Sequence, residues 1–346
     1  MAYTTIPKST AQFNTKLYTG NYSTNAITGV GFQPDLTWIK TRTTAGENHY
    51  LFDVIRGVTK YIHSDTNAGE GTNSATLTTF GSDGFTVGAN NSVNKSSDSL
   101  VSWNWKANGQ GSANTDGTIN STYTSANTTS GFSIVQYTGN ASQSQTVGHG
   151  LGVAPKLIIF KSSTSADDWS ICCPSVLGVD GRLTLNTTAA NSIGDNTFWN
   201  STAPSSTLFS IGNNPRANAS GQTIIAYCFA EIPGFSKMGS YEGNGNANGI
   251  FQHLGFKPAW VLIKNTTATE AYFLYDNKRG YNGSMAALFP DEAAADAFAN
   301  NIDFLSNGFK IRTAGAILNG NTTKYIYMAF ASEPLVSTNG NAATAR

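Results

Sequence analysis

The sequence predicts an all-β protein of three tandem β-sandwich domains, jelly-roll or lectin-like, derived from an internal repeat, with one short helix in the third. Three observations predict it. Charged residues make up only 12% of the chain, and the polar positions are filled by Asn, Ser, Thr and 35 Gly, side chains that favour turns and pleated surfaces and lose in helices because they hydrogen-bond their own backbone. Aromatic residues make up 11% and recur in clusters, which supplies a core that a disordered chain would lack. Finally, one unit of about 100 residues returns three times, a common single-domain size.

Each repeat opens on the same phrase: Tyr18-Thr-Gly-Asn21, Tyr137-Thr-Gly-Asn140 and Tyr241-Glu-Gly-Asn244. A Gly-x-x-Pro frame follows, as Gly31-Phe-Gln-Pro34, Gly152-Val-Ala-Pro155 and Gly255-Phe-Lys-Pro258. Six residues after each proline stands a lysine: Lys40 after Pro34, Lys161 after Pro155, Lys264 after Pro258. An aromatic strand closes each unit, at Leu100–Trp105, Ile224–Phe229 and Tyr325–Phe330. The repeats therefore occupy residues 13–107, 132–236 and 237–335. Residues 1–12 and 336–346 read as polar tails, and 108–131 as a Gly/Ser/Thr/Asn linker about which the first repeat is free to hinge.

Within the first repeat, seven strands are expected, at Phe13–Tyr18, Asp35–Lys40, His49–Ile55, Lys60–His63, Thr76–Phe80, Phe85–Val87 and Leu100–Trp105. The strand spacing is that of a sandwich. Unbroken apolar runs before Lys161 and Lys264 break the in/out alternation, so that strand is expected to be covered on both faces. Pro290–Phe298, with proline and acids before alanines, reads as the short helix. It occupies the place of the polar loops 64–74 and 186–196, and a position of variation on a fixed scaffold suggests binding loops.

The same residues exclude several functions. Twenty-one basic against 21 acidic residues leave no basic face for nucleic acid. No apolar run approaches the ~20 residues of a membrane-spanning helix, and Met1–Lys8 has no apolar core, so an unexported chain made in a cytoplasm is expected. No metal, cofactor or catalytic residue is assigned: His49, His63, His149 and His253 lack ligand spacing, and Asp53, Asp167, Asp168, Asp291 and Glu292 fall where turns want acids. Cys172, Cys173 and Cys228 read as buried thiols, with a bridge from Cys172 or Cys173 to Cys228 as the minor option. Lys40, Lys161 and Lys264, with Pro34, Pro155 and Pro258, read as structural signatures, the lysines guarding strand edges. Trp199, among polar residues, is the candidate exposed contact.

The phrases Gly31-Phe-Gln-Pro-Asp-Leu-Thr-Trp-Ile-Lys40, Leu51-Phe-Asp-Val-Ile-Arg-Gly57, Gly148-His-Gly-Leu-Gly-Val-Ala-Pro155 and Tyr325-Ile-Tyr-Met-Ala-Phe-Ala331 resemble the tandem-repeat structural proteins of tailed bacteriophages, marine and cyanobacterial ones above all. The resemblance covers residues 13–335. It implies a non-enzymatic virion component on the particle exterior, assembled in the host cytoplasm: a tail-fibre or receptor-binding part, with capsid decoration as the alternative and a glycan-degrading tailspike as a remote one. Expected partners are other virion proteins and a host-surface glycan or receptor, with no nucleic acid and no membrane insertion. A homo-oligomer, a trimer by preference, is the expected assembly.

Overall fold

A computed structural model describes residues 4–334, and it is all-β, with antiparallel sheets and only short helical turns. Each repeat builds its main sheet from the same four strands in the same order. A first strand (Phe13–Thr19, Phe132–Thr138 or Ser236–Glu242) pairs with the closing strand (Ser99–Trp105, Thr223–Phe229 or Lys324–Pro334). The closing strand pairs in turn with the lysine strand (Leu36–Thr41, Leu157–Ser162 or Phe256–Asn265). Beyond that lies a fourth strand at Tyr50–Asp53, Ser170–Cys172 or Phe273–Asp276. All seven strands expected in the first repeat are present, with ends shifted by at most two residues. A small outer sheet covers one face of each main sheet: Asn25–Thr28, Leu77–Gly81 and Gly84–Val87 in the first, Gln145–Gly148 and Leu208–Ile211 in the second, Phe251–His253, Ile302–Leu305 and Gly308–Ile311 in the third.

The other face of each main sheet turns inward onto the other two repeats, as the unbroken apolar runs require. Along Leu157–Phe160, Ile158 and Phe160 join the outer core of the second repeat, while Leu157 and Ile159 join a core shared by all three. At the centre of that shared core the closing strands meet, Trp105 and Phe330 at 5.7 Å and Phe229 and Phe330 at 6.0 Å between ring centroids. A dry void of ≈ 20 Å³ is lined there by Leu36, Ile159, Trp260 and Leu262, among other apolar residues. An apolar cavity of this size has no polar group to hold a water.

This packing corrects four expectations. The first repeat does not hinge, because Trp38, Trp103 and Trp105 lie in the shared core with residues of both other repeats. Residues 108–131 are no linker: Ser121–Asn127 pairs along the first strand of the second repeat, with Ser112–Asn114 beyond it. Ser, Thr and Asn suit a half-exposed strand as well as a loop, and the pairing decides. The segment before the first repeat is anchored by Ile6, which is 1% exposed; residues 336–346 lie outside the described residues. Pro290–Phe298 is a turn and extended chain running into the strand Ala297–Ala299, and the short helix of the third repeat is Ala316–Asn319. The carbonyls that a helix would use are taken by the first repeat, Pro290 O by Ser64 Oγ at 2.7 Å and Ala293 O by Gly46 N at 2.8 Å.

Candidate functional site

The repeated residues converge on the three seams between repeats, and the seams follow one cyclic rule: second onto first, third onto second, first onto third. The loop of one repeat donates a backbone N–H to the residue two places after the lysine of the next, as Glu70 N to Ser163 O (2.7 Å), Asn191 N to Thr266 O (2.9 Å) and Asp296 N to Arg42 O (2.9 Å). The lysine answers. Lys161 Nζ donates to Asn67 O at 3.2 Å, and Lys264 Nζ to Thr188 O at 3.0 Å. Lys40, at the third seam, donates to its neighbour Thr41 O and faces Asp296, while Gly46 N takes the Ala293 carbonyl that matches Asn67 and Thr188.

These lysines therefore guard no edge. They lie on interior strands at 0%, 0% and 1% exposure, and burial lowers each ammonium to about 8 despite carboxylates nearby. Ammonium has three donors, and carbonyl oxygens take all three of Lys161, two of Lys264 and one of Lys40. Pro34, Pro155 and Pro258 are buried at the entry to these strands, and Gly31, Gly152 and Gly255 before them hold φ of 92°, 72° and 85°, a left-handed turn that only glycine enters without strain.

A second contact repeats beside the first. Trp169 Nε1 donates to His63 O at 2.7 Å and Tyr272 OH to Thr184 O at 3.2 Å. His49 stands at the matching position; Trp38 Nε1 donates to its Nδ1, and Phe289 O faces its ring without forming a hydrogen bond of ordinary geometry with Nε2. The backbone N–H groups of the same three residues go to Asp65 Oδ1 (3.1 Å), Asn186 Oδ1 (2.9 Å) and Asp291 Oδ1 (3.0 Å). Where the second repeat has an amide, the other two have acids that burial pushes up, Asp65 to about 6 and Asp291 to about 7. Burial at this position disfavours a charged acceptor.

The third contact is ionic and reaches deepest. Asp53 binds Arg56 at 2.6 Å and accepts Tyr227 OH of the second repeat at 2.7 Å. Asp276 binds Arg279 at 2.6 Å and accepts Trp103 Nε1 of the first repeat at 2.8 Å. Asp296 ties Arg279 to Arg42 across the same seam. At the seam between second and third repeats the acid position is Cys173 and the residue matching Tyr227 is Met328, so donor and acceptor are lost together. A lone buried carboxylate or hydroxyl would carry its full desolvation cost, whereas an apolar pair carries none.

The opening phrase is equally structural. Tyr18, Tyr137 and Tyr241 donate to Val93 O, Ala217 O and Leu318 O, each at 2.7 Å. The next residue in each case, Asn94, Asn218 or Asn319, is fully buried and accepts the backbone N–H of Asn21, Asn140 or Asn244 at 2.9–3.0 Å. Gly20, Gly139 and Gly243 lie against the backbone that follows, where a Cβ would collide with a carbonyl. These buried asparagines escaped the sequence reading, although each stands nine residues before Trp103, Tyr227 or Met328.

Several of the acids and histidines that could carry chemistry are engaged within the fold. Asp168 binds Arg216 at 2.5 Å and accepts Asn186 Nδ2, Asp167 accepts Ser165 Oγ, Asp53 accepts Tyr227 OH across a seam, and Asp291 accepts Tyr272 N within the third repeat. His49 and His63 do meet, His63 Nδ1 lying 2.8 Å from His49 O, and burial lowers both. Among the described residues no group of three His, Cys, Asp or Glu could hold a metal. Cys172, Cys173 and Cys228 are free and buried, and burial raises the last two thiols to about 11 and 12. Trp199 is not the exposed contact expected: it is 1% exposed, packs on Phe160 and Phe198, and donates to Gly181 O at 3.1 Å. Loops 64–74, 186–196 and 290–301 give backbone groups to the seams, which fixes their main chain.

Compared with curated proteins and with solved structures, the chain matches none. A family model, described as a domain of unknown function (DUF7483), matches residues 8–334, nearly the whole chain and all three repeats. This chain therefore belongs to the DUF7483 family.

Proposed function

We propose that this chain is a non-enzymatic structural protein of a tailed-phage virion, displayed on the particle exterior as a tail-fibre or receptor-binding part. The observation that carries the reading is the ring: three repeats clasp one another cyclically, and Lys161, Lys264, Asp53, Asp276, Trp169 and Tyr272 make contacts across the clasp. Such a body is held by contacts among its own repeats, and its low charge makes its stability insensitive to salt. Threefold form inside one chain also matches the end of a trimeric fibre, which supports mounting as a single copy on a trimeric partner. Light scattering of the purified chain distinguishes this from a homotrimer.

Capsid decoration is the second reading, since the same form suits a threefold junction of a shell. Immunogold electron microscopy of phage particles, with antibodies raised against the chain, is the test. Gold at the tail supports the proposal, gold over the head selects decoration, and unlabelled particles overturn both.

A further inference from the structure

In the second repeat, one side of the sandwich is closed by the chain's own residues 117–127. Ile119 N donates to Thr146 O at 3.0 Å on the outer sheet, and Ile119 joins Val135 and Val147 in the outer core. Ser121–Asn127 then pairs along the first strand of the main sheet, placing Thr124 directly opposite Val135. One extended segment thus bridges the edges of both sheets.

The first repeat has the same two edges and no such segment. Phe13–Thr19 is the terminal strand of its main sheet and Asn25–Thr28 the terminal strand of its outer sheet. Between them runs a groove of ≈ 310 Å³ lined by Asn14, Thr15, Lys16, Leu17, Gly29 and Lys278. The difference shows in burial. The second repeat buries Phe132, Ser133, Ile134 and Val135 in succession, whereas Asn14 and Lys16 at the matching places are half-buried. Lys16 replaces Val135, and it feels Asp83 without pairing with it. Among the described residues neither Lys16 nor Lys278 joins an ion pair.

We propose that the open side of the first repeat is an acceptor groove for an extended strand of another polypeptide, one that carries an acidic side chain opposite Lys16. The residues 117–127 lodged in the second repeat show the occupant's backbone, because the two sites share strand order and register. Main-chain bonds to an open edge supply affinity, and the alternate side chains facing the groove supply selectivity. The ammonium groups of Lys16 and Lys278, neither in an ion pair among the described residues, set that selectivity. Lysine on an edge also guards against pairing, and that competing view expects no strand to bind, whatever its charge.

The test uses the full chain and three fluorescently labelled peptides: the sequence of residues 117–127, and the same peptide with T124E or T124K. Anisotropy titrations should give saturable binding with the T124E peptide tightest, by about threefold over the parent, the scale of one opposite-charge cross-strand pair. Lys16→Glu, at a half-exposed position, should fold normally and reverse the order of the T124E and T124K peptides. Hydrogen exchange should show new protection at residues 13–19. Absence of saturable binding, an order unmoved by Lys16→Glu, or protection at 132–138 in place of 13–19 would each overturn the proposal.

Discussion

Tyr227→Phe removes one oxygen from the deepest contact between the first and second repeats, and its cost follows from the geometry. The hydroxyl donates at 2.7 Å to Asp53, whose side chain is 0% exposed and whose other partners are Arg56 N and Nε. A hydrogen bond to a buried charge contributes about 1.5–3 kcal/mol, and the ring itself stays in place, so no cavity is added. The temperature shift then reports how much of the chain unfolds together. With about 2.1 cal/mol/K of unfolding entropy per residue, the 346 residues as one unit have an entropy of roughly 0.7 kcal/mol/K, so 2 kcal/mol lowers the midpoint by about 3 °C. A single repeat unfolding alone would move by about 10 °C on the same scale, with the rest of the signal unchanged. Differential scanning calorimetry with urea titration measures both quantities. A loss under about 0.5 kcal/mol, the surface-substitution range, would refute the desolvated contact, and a large shift confined to part of the signal would refute the clasped ring.

Three further outcomes are expected. Native Asp291, raised from 3.8 to about 7, keeps a proton that the unfolded chain releases, so its contribution to stability is present near pH 4 and is lost as pH climbs through 7; Asp291→Asn should flatten urea midpoints between pH 5 and 7.5, and an unchanged slope would count against this. Lys161 is displaced the other way, from 10.5 to about 8, so the cost of its buried charge persists below pH 8 and is relieved as pH rises toward 10; Lys40 and Lys264 are displaced alike, so Lys161→Met should reduce that rise without removing it, and an unchanged rise would count against the buried charge of Lys161. The thiols of Cys172, Cys173 and Cys228 are buried, with ionisation pushed up, so Ellman's reagent should label them only at the rate of unfolding, and fast labelling of the native chain would contradict their placement.

The repeat, its strands and the doubly covered lysine strand were legible because they rest on side-chain periodicity and on glycine and proline. Ring closure was not. Lys161 and Lys264 reach Asn67 O and Thr188 O, and Trp169 and Tyr272 reach His63 O and Thr184 O, all of them main-chain carbonyls. A loop that contributes only its backbone can vary in side chain, and for that reason 64–74, 186–196 and 290–301 looked like recognition loops. The edge-guard reading of the lysines failed because the strand's place in its sheet depends on which strand pairs beside it. Ser121–Asn127 was missed on composition, since its strand state comes from the edge it meets. The ionic contact was missed, with Asp53 read as a turn acid, although Asp53 with Arg56 and Asp276 with Arg279 share a spacing of three and the second repeat lacks both members.

Three repeats form one ring, held by seams that share a main-chain contact. Calorimetry of the intact chain decides this by comparing the measured enthalpy with that inferred from the sharpness of the transition. The ring predicts a single transition with a ratio near one. Three transitions, or a ratio near three, would mean repeats that fold side by side without clasping.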